Sequence, residues 1–300
     1  MKIVTWNVNG VRARGEQVAA LIERERPDVL CLQEIKVDPE HLPKEIGEVP
    51  EYWCKWHGMK GYSGVALHVR RELSVACPPI SHPPFDFESR MAVADLPGLT
   101  VASIYVPNGG KDLPAKLQFL EALKAWAGEM RRAGRALVLC GDMNVARAEV
   151  DVHPNERNPR LPGQLPIERT LFQGLLDAGG LHDLGRELDP SNTAMYSWWA
   201  PWRNMRARNI GWRLDYVLAS DVLAARAVSC PALREVGTSD HAPVIATFQG
   251  DLAAFTCPSR RRSRPALPIW SSVTSTARSP STTSRTSSGT RTCPTTGAPC

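Results

Sequence analysis

Ala136-Leu137-Val138-Leu139-Cys140-Gly141-Asp142-Met143-Asn144-Val145-Ala146 is the stretch around which the chain is organised. Ala136 to Cys140 is continuously apolar, the pattern of a strand buried on both faces. Gly141 breaks the run, and Asp142 and Asn144 follow, one residue apart. Alternate residues of a strand point the same way. Both side chains are therefore expected at the rim outside a sheet, where α/β proteins bind ligands. Gly-Asp and Asn also form ordinary turns, so a plain turn stays open on this stretch alone.

Outward from it, other apolar runs end in the same kind of residue. Lys2–Val8 reads as a strand followed by Asn9 and Gly10, with Asn7 at its end. Glu16–Arg26 places Val18, Leu21 and Ile22 on one helical face and stops at Pro27. Asp28–Gln33 is a second strand, and Glu34 stands at its end as a functional or merely solvated carboxylate. Gly64–Val69 and Leu99–Val106 read as strands joined by a Pro-rich connection. The second delivers Tyr105 and the loop Pro107-Asn108-Gly109-Gly110. Pro114–Arg132 is amphipathic, with Leu117, Leu120, Leu123, Ala127 and Met130 inward. A long polar loop, 149–166, precedes a helix over Glu168–Asp177; loops of that length tend to be functional or mobile.

Charge divides the chain in two. Residues 251–300 hold seven Arg and one acid, leaving 29 basic and 30 acidic residues in 1–250. The net +5 thus belongs to the tail and is no argument for a nucleic-acid partner. That tail is rich in Ser, Thr, Arg and Pro and is expected to be disordered, so the domain is placed at 1–249 and the low-complexity segment at 250–300. The eight cysteines show no zinc-type spacing, which suits a reducing compartment. Met1-Lys2 leads straight into a strand pattern and no apolar run reaches membrane length. An intracellular protein with no membrane partner is expected.

Tyr196–Tyr216 contains Trp198, Trp199, Trp202 and Trp212 together with Arg203, Arg206, Arg208 and Arg213. Aromatic planes among guanidinium groups suit bases, sugars and phosphates, and an Arg-on-Trp packed loop is the alternative. Asp215 opens the strand Leu214–Ala219, and Ser239-Asp240-His241 precedes the strand Pro243–Phe248. An antiparallel strand starts beside its neighbours' C-terminal ends, so these residues can meet Asn7, Glu34, Tyr105, Asp142 and Asn144 at one edge. Four carboxylates there would repel one another without a cation. The oxygen-rich set suits Mg²⁺ or Mn²⁺ better than Zn²⁺. Such an ion beside a base and a histidine is equipment for phosphoester hydrolysis.

Six motifs carry a specific resemblance: Thr5-Trp6-Asn7-Val8-Asn9-Gly10, Leu32-Gln33-Glu34-Ile35-Lys36, Tyr105-Val106-Pro107-Asn108-Gly109, Gly141-Asp142-Met143-Asn144-Val145-Ala146, Gly211-Trp212-Arg213-Leu214-Asp215-Tyr216 and Ser239-Asp240-His241-Ala242-Pro243. In this order they resemble the exonuclease III family of AP (apurinic/apyrimidinic) endonucleases, within the endonuclease/exonuclease/phosphatase fold. The resemblance covers residues 1 to about 249. It implies an α/β fold, a four-layer α/β sandwich in which two packed mixed β-sheets are flanked by helices. It also implies a Mg²⁺-dependent nuclease that acts as a monomer. The expected substrate is double-stranded DNA with abasic sites or blocked 3′ ends.

The resemblance also supplies roles. Glu34 is implied as the main metal ligand, with Asn7, Asp142, Asn144, Asp240 and His241 in the same metal site. Asp142 would take a proton from the attacking water, oriented by Asn144. His241, paired with Asp215, would contact the scissile phosphate, and Tyr105 and Asn108 would stabilise its developing charge. Trp199, Trp212 and Leu214 are implied as walls of a pocket for a baseless sugar, with Trp198 alongside. Trp202, Arg203 and Lys111 would face the DNA. A phosphatase or phospholipase of the same fold would share the metal site without needing the Trp/Arg segment. A non-catalytic DNA-binding paralogue would have lost Glu34, Asp142 or His241.

Overall fold

The computed structural model describes residues 1–250, so the expectation about the tail falls on residues outside those described. In chain order the elements are β1 Lys2–Asn7, α1 Gly15–Glu25, β2 Val29–Gln33, α2 Lys44–Gly47, β3 Tyr52–Met59, β4 Tyr62–Arg70, β5 Ile80–Ser81, β6 Met91–Leu96 and β7 Leu99–Tyr105. They continue with α3 Leu113–Arg132, β8 Leu137–Asp142, α4 Pro166–Gly179, β9 Leu181–Asp183, α5 Leu184–Leu188, β10 Asp215–Ser220, α6 Asp221–Ala224, β11 Ala227–Ser229 and β12 Val244–Phe248.

The strands form two six-stranded sheets, ordered β11-β12-β1-β2-β4-β3 and β5-β6-β7-β8-β10-β9. Each sheet holds one parallel pair, β1 with β2 and β7 with β8, and every other pairing is antiparallel. Helix α1 connects the first parallel pair and α3 the second, so both are strand–helix–strand units with the helix laid over a sheet face.

Alternation along the strands sorts side chains into layers. Val138 and Cys140 of β8 join Cys31, Val101 and Val217 in the core between the sheets. Leu137 and Leu139 face outward, onto Phe119, Leu120 and Leu123 of α3 and Phe172 and Leu175 of α4. On the far side, Val4, Trp6, Leu30 and Leu32 pack with Val18, Leu21 and Ile22 of α1. Helix, sheet, sheet, helix is the four-layer sandwich the motifs implied. The helix α3 starts where Asp112 accepts a hydrogen bond from the Ala115 amide at 3.0 Å, an N-cap.

Five strands escape the hydrophobic pattern, among them β9 and β11 of three residues each. In β3, Lys55 and His57 interrupt the aromatics of an edge strand; β5 is only two residues long, and β6 follows the Pro-rich connection. Gly141 does not end its strand either. β8 continues through it to Asp142, with Gly141 at φ 148° and the Ile104 carbonyl so close that an added Cβ would lie 1.9 Å from its oxygen. Only glycine fits there.

One buried group makes stability pH-dependent. His68, on β4, lies in contact with Trp56 with ring centroids 4.8 Å apart and is fully buried. Desolvation of the imidazolium lowers its pKa from 6.5 to about 4. Below pH 6.5 the unfolded chain takes up a proton that the folded chain refuses. Stability should therefore fall by about 3 kcal/mol between pH 6.5 and 4 through this residue alone. Urea unfolding at several pH values should show that decline flattened in His68→Gln; an unchanged slope would remove His68 as its origin.

Candidate active site

Both parallel pairs end at the same edge of the sandwich, and the candidate residues hang from those ends. Asn7 closes β1 opposite Gln33, which closes β2, and Glu34 follows. In the other sheet Asp142 at the end of β8 lies opposite Tyr105 of β7 on one side and Asp215 of β10 on the other. β12 begins at Val244 beside Thr5, which brings Asp240 and His241 to this edge. Asp142 and Asn144 do converge, but not by strand alternation. Asn144 lies beyond β8 at φ 49°, and its amide bonds back to Asp142 Oδ1 at 2.8 Å. Glu34 holds the same left-handed conformation, also at φ 49°. Non-glycine residues adopt it at a cost of order 1–3 kcal/mol and cluster at functional sites.

Hydrogen bonds join the two sheets at this edge. Asn7 Nδ2 donates to Glu34 Oε1 and to Asp142 Oδ2, both at 2.9 Å, and lies 3.4 Å from His241 Nε2. His241 Nδ1 donates to Asp215 Oδ2 at 2.8 Å. Its Nε2 stands 3.8 Å from Asp142 Oδ2. Asn144 Nδ2 donates to Asp142 Oδ2 at 3.3 Å, and its Oδ1 accepts from Asn108 Nδ2 at 3.3 Å. Glu34, Asp142 and His241 bring one ligand atom each within 4.8 Å of one another, a set able to hold a cation. Asp240 stands apart from that set, its oxygens accepting from Asn9 Nδ2 at 2.8 Å and Trp198 Nε1 at 3.1 Å.

The electrostatics follow from burial and crowding. Desolvation, with the charges of Asp215 and Glu34, pushes the Asp142 carboxyl up to about 7 against the pull of His241. Burial alone would lower His241, but the Asp215 and Asp142 carboxylates outweigh it and hold the imidazolium up at about 10. For Glu34, burial is overcome by hydrogen bonds from Asn7 and Lys36, so it stays ionised below the usual range. Burial beside Glu34 and Asp142 raises the Tyr105 hydroxyl, which remains a proton donor.

Lys116 was hidden in sequence among the polar positions of α3. It is fully buried, paired at 2.5 Å with the equally buried Glu168 of α4. Its Nζ also donates to the carbonyls of Asn144, at 2.7 Å, and Asn108, at 3.1 Å. Glu168 Oε2 accepts from the amides of Gly163 and Leu165. The pair thus ties the loops carrying Asn108 and Asn144 to the start of α4. A lysine at helical spacing reads as solvated, and only the positions of those carbonyls identify it.

The family model for the endonuclease/exonuclease/phosphatase family matches residues 4–241. The chain belongs to that family. It is 36% identical over 255 residues to the DNA repair nuclease APEX1 of Danio rerio, covering 81% of each protein. It is 34% identical over 268 residues to exodeoxyribonuclease III of Haemophilus influenzae, covering 83% of this chain and all of that one. Among solved structures it resembles an AP endonuclease from Archaeoglobus fulgidus, with TM-score 0.74 and 30% identity over 83% of this chain and all of the other. A Neisseria 3′ phosphatase, NExo, bound to a product DNA hairpin also gives TM-score 0.74, at 34% identity over 83% of this chain and all of the other. Five of the six motifs fall within the family match and the sixth, through His241, reaches its end, in agreement with the resemblance they carried.

Within this family member the Trp/Arg segment divides differently from expectation. Trp198 and Trp199 are successive residues of an extended stretch and point opposite ways. Trp198 meets Trp212 edge to face at 5.5 Å and lies 6.4 Å from the His241 ring. With Leu214, Ala146 and Val152 they form an apolar wall beside the site. Trp199 does not belong to that wall. It is 1% exposed, packed with Tyr196, Met205 and Ile210, and its Nε1 donates to Asn209. Two arginines are likewise structural. Arg213 is buried between Asp151 and Asp183, and Arg206 lies over the Trp199 ring and bonds the carbonyls of Arg234, Val236 and Ser239. The loop 149–166 is anchored rather than loose, since Asp151 holds Arg213. Trp202, Arg203 and Lys111 remain exposed, where DNA contact was expected.

Stability measurements separate the two tryptophans. Trp199→Ala should lose about 3–5 kcal/mol by opening a cavity in a closed cluster. Trp198→Ala removes a partly buried ring and should cost less than half as much by denaturant unfolding. Equal losses would contradict the division between wall and core.

Proposed function

We propose that the protein hydrolyses the phosphodiester bond immediately 5′ to an abasic site in duplex DNA, and that it also trims blocked 3′ ends as an exonuclease or phosphodiesterase. The observation that carries the reading is the apolar wall of Trp198, Trp212 and Leu214 standing beside His241 and the Glu34–Asp142 pair. An apolar slot at a phosphate-cleaving centre suits a sugar without its base. Loss of the base also lowers the cost of turning the nucleotide out of the helix. Selection then rests on fit and DNA deformation rather than on base edges.

A hard divalent cation fits the donors present. Two buried carboxylates, Asp142 and Asp215, and the partly buried Glu34 surround one histidine, and Asp215 Oδ1 has no hydrogen-bond partner. Glu34 and Asp142 would hold Mg²⁺, with Mn²⁺ as a substitute and Asn7, Asn144 and His241 bordering the same space. Bound there, the ion would supply Lewis-acid stabilisation of charge on the phosphate oxygens.

The chain's own groups do the rest. Asp142, fixed through Oδ1 by the Asn144 amide, offers Oδ2 to receive the proton of a water attacking phosphorus in line. His241, held as a cation by Asp215, faces a phosphoryl oxygen through Nε2. Tyr105 and Asn108 donate to the other phosphoryl oxygens. The bond to the upstream 3′ oxygen breaks, leaving a 3′-hydroxyl and a 5′-phosphate that carries the baseless sugar. Trp202, Arg203 and Lys111 reach the duplex on either side. All these groups come from one chain, which supports a monomer, and no described helix is long and apolar enough to cross a membrane.

A duplex with one tetrahydrofuran abasic analogue and Mg²⁺ should be nicked immediately 5′ to the analogue, and chelator should abolish the cut. Asp142→Asn should still bind the duplex while losing several orders of magnitude in rate. Inositol phosphates and sphingomyelin belong in the same assay. Their turnover beside an intact abasic duplex would replace this reading with a phosphatase or phospholipase, and duplex binding without any cleavage would indicate a DNA-binding paralogue.

The apolar wall makes a second prediction. Trp198→Ala and Trp212→Ala should each weaken discrimination between abasic and intact duplex by about 1–3 kcal/mol. An unchanged cleavage ratio in both variants would place the sugar pocket elsewhere.

A further inference from the structure

A second group of metal-ligating side chains lies away from the catalytic edge. His57 of β3, His82 and Asp86 present one ligand atom each within 4.8 Å of one another. β3 is the outer strand of one sheet, while His82 follows β5, the outer strand of the other. The three side chains therefore meet across the open flank of the sandwich, and the nuclease chemistry uses none of them.

Their hydrogen bonds prepare each for ligation. Asp86 Oδ1 accepts from the amides of Arg90 at 2.7 Å and Met91 at 3.0 Å, which fixes the carboxylate and leaves Oδ2 facing His57 Nε2 at 2.6 Å. His82 Nδ1 lies 2.8 Å from the Met91 carbonyl, which can only accept. Nδ1 therefore carries the proton and Nε2 the lone pair. A ring nitrogen spent on a backbone carbonyl is the usual support of a metal-bound histidine. The two imidazoles stack with centroids 3.7 Å apart at 24°. Between His82 and Asp86 stand Pro83 and Pro84, whose fixed φ limits how far the two ligands can separate. Beside them is a cavity of about 300 Å³, lined by both histidines, Trp56 and Cys77, with room for an ion and its water.

We propose that His57, His82 and Asp86 form a binding site for a borderline-soft divalent ion, Zn²⁺ by preference, that fastens the flank of one sheet to the other. Two imidazoles and one carboxylate are a zinc set with a fourth position open to water, unlike the oxygen-rich catalytic edge. Binding replaces the His57–Asp86 hydrogen bond with two metal bonds, and His57 ligates through Nε2 as the neutral tautomer that carries its proton on Nδ1. The ion would also cover two outer strands, the places where sheets are open to unwanted pairing.

The test uses the full chain carrying Glu34→Gln, so that ions at the catalytic edge are weakened. Co²⁺ should give the visible absorption of a four-coordinate site at one equivalent, and Zn²⁺ should displace it and raise Tm. His82→Phe keeps the ring stacked on His57 but removes the donor. It should bind Co²⁺ at least tenfold more weakly and lose the Zn²⁺-dependent rise, while the metal-free Tm stays put. Asp86→Asn, which retains the acceptor for the two amides, should behave the same way. In a chain that retains Glu34, His82→Phe should leave Mg²⁺-dependent nuclease activity unchanged. Co²⁺ absorption and a Zn²⁺ response that persist in both variants, or are missing from the parent, would show that the three side chains form only a hydrogen-bonded clasp.

Discussion

The side-chain amide of Asn7 is where the two sheets meet chemically. Its Nδ2 bonds Glu34 in its own sheet and Asp142 in the other, both at 2.9 Å. Such a bond exists only if the parallel pairs β1/β2 and β7/β8 end at one edge and the sheets stack closely enough for a short side chain to span them. The core between the sheets, with Cys31, Val101, Val138 and Ala219 among its side chains, meets the second condition. For each pair, a helical crossover returns the chain so that both of its strands end together. Fold and site are thus one constraint: a slip of one residue in β8 would turn Asp142 away from Asn7.

Much of this was legible in the sequence because it depends on periodicity and on residues at strand ends. Asn7, Glu34, Tyr105, Asp142, Asp215 and His241 each follow or open an apolar run, and the structure brings them to one edge. What was illegible depends on neighbours distant in sequence. β3 is an edge strand whose exposed side tolerates lysine and histidine, so its alternation is faint. Trp198 and Trp199 are identical in type, and only the direction of the extended chain assigns one to the wall and the other to a core. Arg213 looked like a surface cation because the partners that neutralise it, Asp151 and Asp183, lie 62 and 30 residues away.

Lys116 and Glu168 belong to the same class of hidden residue. Burying both charges is costly, and their mutual attraction offsets this only when the remaining polar atoms are also engaged. Here they are engaged by the backbone of the loops that present Asn108 and Asn144, and by the amides of Gly163 and Leu165. The left-handed conformations of Glu34 and Asn144 are held against their own preference by surroundings of this kind. Rigidity at the candidate site is supplied from beneath it.

Arg213 has a similar bearing on the apolar wall. It sits between Trp212 and Leu214 in the chain, turned inward to Asp151 and Asp183 while its two neighbours turn outward. Asp151 is shared with Arg186, and Asp183 with Arg147, so one salt lattice grips the strand from behind. The wall is therefore braced from behind: its position is set by charged side chains that are not part of it. Resizing Trp212 or Leu214 with the lattice intact would reshape the wall locally, whereas loosening the lattice would let the whole wall shift.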